Sequence, residues 1–261
     1  MNKMVKEQLC CSFAVLSSLS DGEKSMQDFT ALDVETTGLN PKSEKIIEVG
    51  AVKVRNGRIV DRYESLIYPG KKLEERIVEL TGITDEMLKE APLPEKVIPE
   101  LLEFIGEDVL LGHSVLFDYS FLKRAAVNLG LMKSKDIGCG IDTLRIARCC
   151  LRELESRSLP FLCQYFEIPH KAHRAIHDAE ATIMLYEKLL EKFGDIQESG
   201  IFEPFELIYQ IKREGPANKA QKERLYLLVQ KHKLVIEYDI DRLTRNEASR
   251  MIDKIILKHG R

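Results

Sequence analysis

The 261-residue sequence predicts an α/β domain that carries a small helical module at its C-terminus. Three observations lead to that expectation. Apolar residues recur at strand period over 28–35, 44–55 and 58–68, and Asn56-Gly57 between the last two is a strong hairpin-turn signal. Past Pro69-Gly70 the pattern changes to helical segments interleaved with short apolar strands. From residue 217 onward the period is helical only and the charge becomes basic.

Each element has a local reason. The first strand, 28–35, interleaves Leu32 and Val34 with Asp33 and Glu35. The second, Glu44–Arg55, is apolar at Ile46, Ile47, Val49, Ala51, Val52 and Val54, and the third, Arg58–Tyr68, returns from the turn. Helices are expected over Leu73–Leu80 and Pro94–Ile105, the latter with Pro at its first position. A strand at 108–112 feeds a helix at 118–129, and Gly138–Thr143 reads as the last strand. Helices at 143–154, 158–167 and 176–193 close the domain. The chain therefore divides into an N-terminal extension (1–27), a main domain (28–196), a Gly- and Pro-punctuated connector (197–216) and a helical module (217–261). In that module Thr244-Arg-Asn-Glu247 has the capping-box spacing that opens a helix.

Composition narrows the class. A hydrophobic content of 44% is enough for a core. The six cysteines include no Cys-x-x-Cys pair, so buried thiols are expected rather than a secreted disulfide framework. No stretch approaches the roughly 20 apolar residues of a membrane span. Leu9–Leu16 is too short and too interrupted, and a cytoplasmic protein without membrane partners is expected. Charge is uneven: residues 212–261 carry a formal +6 and the remainder −9. A basic tail of this kind either solvates two amphipathic helices or tethers a polyanion by counterion release.

Three stretches carry chemistry. Side chains at i and i+2 of a strand share a face, so Asp33 and Glu35 aim two carboxylates at one point, roughly 6–7 Å apart along the chain. Like charges held together need a cation between them, and Mg²⁺ favours carboxylate oxygens with substrate phosphates. Asp118 follows an apolar strand and the Gly112 turn, where a helix start presents it. His173 lies five residues before Asp178, a little over one helical turn, so an imidazole just outside the helix can lean over the same cleft. Two competitors remain. His170, His173 and His177 form a local cluster with a His-x3-His zinc spacing within it, but Arg174 stands where the metallopeptidase pattern has Glu. His177 adjoins Asp178, but neighbours on a helix diverge by about 100°.

Taken in order, these stretches resemble the DEDDh family of 3′→5′ exonucleases over about residues 28–193. The first motif is matched by Asp33-Val-Glu35-Thr36-Thr37-Gly38, the second by Gly112, His113, Phe117 and Asp118, and the third by His173 and Asp178. Asp142-Thr-Leu is also familiar from that family. The match is similar in look to the epsilon proofreading subunit of bacterial DNA polymerase III and to the exonuclease region of Gram-positive replicative polymerases. Ser114 departs from the Asn usual after Gly-His, which weakens any amide contact there and leaves the acidic set intact.

The resemblance implies a ribonuclease H-like mixed five-stranded sheet flanked by helices. It also implies two Mg²⁺ (or Mn²⁺) ions held by Asp33, Glu35, Asp118 and Asp178. Asp33 would bridge them, Glu35 would also reach the attacking water, and His173 would act as general base. Thr36, Thr37, Gly38, Leu39, His113 and Phe117 are the expected contacts to the 3′-terminal nucleotide, with packing as the alternative for Leu39, His113 and Phe117. The implied activity is release of nucleoside monophosphates from single-stranded or frayed DNA 3′ ends, with a polymerase as a candidate partner. Trimming of RNA ends and a non-catalytic accessory module are the alternatives.

Overall fold

The computed structural model describes residues 28–136, 138–171, 173–195 and 200–260, so the expected N-terminal extension lies outside the described residues. One six-stranded sheet forms the centre. Its strands are β1 (Phe29–Thr36), β2 (Ile46–Arg55), β3 (Arg58–Leu66), β4 (Val109–Gly112), β5 (Gly138–Asp142) and β6 (Phe205–Leu207). Their order across the sheet is β3-β2-β1-β4-β5-β6. The meander is antiparallel, with Asn56 and Gly57 both at positive φ in the turn as a two-residue hairpin requires. β4 runs parallel to β1, and β5 runs parallel to β4.

Helices cover both faces. They are α1 (Glu75–Thr81), α2 (Asp85–Lys89), α3 (Pro94–Ile105), α4 (Val115–Leu129), α5 (Thr143–Cys150), α6 (Leu159–Tyr165), α7 (Ala175–Phe193), α8 (Lys219–Lys231) and α9 (Arg245–His259). Alternation along β1 sorts its side chains between two cores. Phe29 and Ala31 join the cluster built with α5, α6 and α7, where Phe29 meets the edge of Tyr186 at 5.8 Å. Leu32 and Val34 join the cluster built with α3 and α4. Asp33 and Glu35 therefore extend the row that faces α7. The outer edge is β3, largely exposed and carrying Arg58, Asp61, Arg62 and Glu64.

Pairing between β1 and β4 ends at Ala31–Leu111. Beyond it the strands part, because the chain after Gly112 turns away through Ser114, whose backbone is left-handed (φ 78°), into α4. This opens a gap at the carboxyl ends of two parallel strands, the usual place for a site in such sheets.

Several details differ from the sequence expectation. β6 comes from the connector and adds three residues antiparallel to β5, so the expected five strands are extended by a sixth. The short α2, capped by the Thr84 side chain, was not anticipated. α4 begins at Val115 rather than Asp118, which places Asp118 in its first turn. Cys163 is buried, and Cys149 and Cys150 are half-buried free thiols, but Cys139 is disulfide-bonded. Pairing depends on proximity in the fold, which spacing along the chain does not report. Among the described residues no helix is long and apolar enough to cross a membrane.

The C-terminal segment folds around its own small core of Leu225, Leu228, Ile240, Ala248, Ile252 and Ile255. Both of its helices open with capping boxes, Asn218 with Gln221 and Thr244 with Glu247. It docks on the corner after β3 through main-chain bonds, Lys72 N–H to Glu237 O and Asp239 N–H to Gly70 O, each 2.7 Å. The ion pairs Lys45–Glu247 (2.7 Å) and Arg242–Glu95 (2.8 Å) flank that seam.

Candidate active site

The close approach of α7 to the sheet is set by Gly50. It pairs with Asp33 across β1 and β2, and a Cβ on it would sit 2.2 Å from the Ile176 backbone nitrogen. Only a residue without a side chain lets the first turn of α7 lie against β2 there. That contact puts Asp178, one turn into the helix and buried, beside Asp33 and Glu35. Glu48, fully buried on β2 opposite Glu35, holds the approach. Its carboxylate accepts from Arg174 Nε (2.8 Å) and from the Ala175 backbone N–H (3.0 Å) at the start of α7.

Asp118 arrives from the other face. Its Oδ1 accepts the Val34 backbone N–H at 3.1 Å, in the stretch of β1 that β4 no longer pairs. The loop before it is latched by Asp142, whose Oδ1 accepts from Ser114 N–H (2.9 Å) while also capping α5 through Leu144 N–H (2.9 Å). Asp178 is held by His170, whose Nε2 contacts its Oδ1, and by the His173 backbone N–H on Oδ2 at 3.0 Å. His173 has a left-handed backbone (φ 69°), an uncommon conformation for a residue with a side chain.

Among the described residues Glu35, His173 and Asp178 form a group whose ligand atoms lie within 4.8 Å of one another. Asp33 and Asp118 stand outside this tight trio but feel its charge. Burial, then Asp118, Asp178 and Glu35, pushes the Asp33 carboxyl well above the usual carboxylate range. Burial is also the first cause of the high proton affinity of Asp118, partly offset by the Val34 N–H bond. Glu35 is pushed up to about 7 by burial, Asp178 and Glu48, against the opposing pull of Arg174. Such a cluster is strained as four anions and relieved by a hard divalent cation. The oxygen-rich donor set of four carboxylates fits that ion class and not a thiolate zinc centre.

The other expected contacts are placed as follows. Thr36 Oγ1 donates to Gly38 O (2.8 Å), and Thr37 Oγ1 donates to Glu44 (2.6 Å). Gly38 packs on Glu44, whose Cγ would lie 3.0 Å from an added Cβ. Leu39 projects from this turn and is 85% exposed. Phe117 is half-buried against Phe121, ring centroids 5.0 Å apart. Both ring nitrogens of His113 are taken up inside the protein, by Thr143 Oγ1 (2.9 Å) and Arg157 O (2.8 Å), and burial lowers its pKa. Among the described residues His177 leaves Nδ1 buried without a partner and joins no metal-ligating group. Sequence reasoning missed Glu48, and it placed His170 in a histidine cluster without foreseeing its contact with Asp178. The only signal for Glu48 was a lone acid inside the apolar run Ile46–Ala51.

Comparison with known proteins agrees with this architecture. Residues 30–186 match the family model described as Exonuclease, a class of nuclease enzymes. The PolC-type DNA polymerase III of Caldanaerobacter subterraneus is 37% identical over 216 residues, covering 82% of this chain and 15% of that protein. The PolC-type DNA polymerase III of Bacillus subtilis is 40% identical over 201 residues, covering 77% of this chain and 14% of that protein. The chain thus spans about a seventh of the relatives' length. Two solved structures share the fold. Exonuclease X in complex with 5′-overhanging duplex DNA aligns with TM-score 0.50 and 24% identity over 64% of this chain and 93% of that one. The zinc-bound E. coli exonuclease I complex with single-stranded DNA aligns with TM-score 0.57 and 19% identity over 68% and 42%. The chain belongs to the exonuclease family.

Proposed function

We propose that this protein is a metal-dependent 3′→5′ exonuclease that releases nucleoside monophosphates from single-stranded or frayed DNA 3′ ends. The observation that supports it most is the meeting of Asp33, Glu35, Asp118, Asp178 and His173 at the splayed ends of β1 and β4, where burial first and neighbouring carboxylates second push the carboxyls of Asp33, Glu35 and Asp118 up. The four carboxylates would hold two Mg²⁺ or Mn²⁺ ions. When bound, such a pair neutralises the phosphodiester and supplies an activated water.

The chain's own groups do the rest. His173, half-exposed at the rim, takes the proton from the attacking water at a ring nitrogen, as an imidazole can near neutral pH. The Arg174–Glu48 pair and the Asp178 contact hold the His173 loop in place. The Thr36–Gly38 turn brings backbone to the terminal sugar, and exposed Leu39 is free to wedge against the last base. His113 acts as a tie between β4, α5 and the Arg157 loop rather than as a hydrogen-bonding contact.

DNA is preferred over RNA because the relatives are named as DNA polymerases and the DNA-bound neighbours as exonucleases. A polymerase partner and a cytoplasmic setting follow from the same reading, as does the division into an exonuclease domain over 28–196 and a module over 217–261. The test is hydrolysis of 3′-labelled single-stranded DNA and RNA with Mg²⁺ or Mn²⁺. Stepwise mononucleotide release from DNA is expected, abolished by chelator and by Asp33→Ala. Internal cleavage, or an Asp33→Ala protein as fast as wild type, would overturn the proposal.

A further inference from the structure

A cavity of about 220 Å³ lies in the seam between the C-terminal segment and the corner after β3. Lys45, Lys71, Arg242, Arg250 and Lys254 line it, against the acids Asp239 and Glu247. Three of the cations are neutralised locally: Lys45 by Glu247, Lys71 by Glu44 (2.5 Å) and Arg242 by Glu95. Arg250 and Lys254 are not. They stand one turn apart on α9, both exposed, with no hydrogen bond or ion pair to a described residue. Asp239 Oδ1 is occupied by the Asp241 backbone N–H (2.9 Å). The cavity thus presents two uncommitted cations, with the half-buried Tyr238 as an aromatic wall.

One wall of the cavity is tied to the candidate site. Lys45 on its wall exchanges main-chain and side-chain bonds with Thr37: Thr37 N–H to Lys45 O (2.9 Å) and Lys45 N–H to Thr37 Oγ1 (3.0 Å). The turn expected to hold the last nucleotide is thus bonded to a residue of the cavity wall, and Lys45 in turn pairs with Glu247 of α9, the helix that carries the two cations. Cations that follow a backbone, with a ring on which a base can stack, are the recognition chemistry of single-stranded nucleic acid.

Resting on the nuclease reading above, we propose that this cavity is a second strand-binding site. It takes phosphodiesters upstream of the 3′ end, with Arg250 and Lys254 contacting phosphates and Tyr238 offering its face to a base. It anchors the body of the strand while the end enters the carboxylate cluster.

The test is binding of a fluorescent single-stranded oligodeoxynucleotide to the full chain in chelator, titrated at several salt concentrations. Each phosphate contact on a single strand contributes about −0.7 to the slope of log K against log salt. The Arg250→Gln/Lys254→Gln protein should therefore show a slope shallower by about 1.4, and roughly tenfold or more weaker binding at 0.1 M salt. Arg224→Gln, an exposed cation on α8 away from the cavity, should leave more of the slope in place than the double variant does. Equal slopes for wild type and the double variant, with matching thermal unfolding, would overturn the proposal and leave the cavity to an acidic protein segment. Because binding is read without metal, failure of the nuclease reading would appear separately, as wild-type protein that binds the strand but does not shorten it when Mn²⁺ is added.

Discussion

Glu35 carries a testable electrostatic signature. Its carboxyl is pushed from the usual value near 4.5 to about 7 in the fold, first by burial and then by Asp178 and Glu48. Between those values the native protein keeps a proton that the unfolded chain has lost. Stability is then lost as pH rises through that window. Asp33 and Asp118 act in the same direction. His113 acts oppositely, because burial lowers its pKa and its contribution disappears as pH falls. The clean quantity is thus the difference between wild type and Glu35→Gln. In chelator, the melting temperature of wild type relative to Glu35→Gln should fall between about pH 5 and pH 7, and Mn²⁺ should remove the fall. A difference that rises with pH would contradict the site electrostatics. At the same scale, His173→Ala should slow hydrolysis by a factor of ~10²–10⁴ while Mn²⁺ binding by calorimetry stays near wild type. Unchanged turnover would move the base role elsewhere, with His170 the next candidate by position.

At the scale of elements, the union of α7 with β2 positions one side of the site. Glu48→Ala leaves Arg174 and the Ala175 N–H without their acceptor and should cost on the order of 3 kcal/mol in urea unfolding, at the low end for a buried pair because Arg174 is partly open to water. Gly50→Ala should be worse, since the new methyl has no space against backbone, and little soluble protein is expected. Normal stability in either variant would mean that the helix is not held this way. Strand and helix periods made β1 to β5, α3 and α7 legible, as did the positions of the acidic residues. The rest depended on long-range contacts. β6 has three residues and owes its identity to pairing with β5. α2 is five residues long, shorter than a helical period can reveal. The α4 start moved to Val115 because Ser114 is fixed by Asp142, 28 residues away. The roles of His170 and Glu48 come from partners 8 and 127 positions distant, which no local pattern encodes.

For the molecule as a whole, the C-terminal segment is held by a short backbone seam with ion pairs at its rim. In the Arg242–Glu95 pair one guanidinium nitrogen, Nη2, donates to both carboxylate oxygens, but the pair is half-exposed, so screening limits its worth. A double-mutant cycle with Arg242→Ala and Glu95→Ala should give a coupling of no more than about 1 kcal/mol. A larger value would make this pair the fastening of the segment, in place of the main-chain bonds Lys72–Glu237 and Asp239–Gly70. The opposite border of the sheet has a different consequence. Along β3, whose outer edge no described strand pairs, the backbone is fringed by Arg58, Asp61, Arg62 and Glu64, of both signs. A second copy approaching to continue the ladder would have to bury those charges. Crowded solutions of this protein should therefore resist fibrous self-assembly through that border, even though no described strand completes its ladder there.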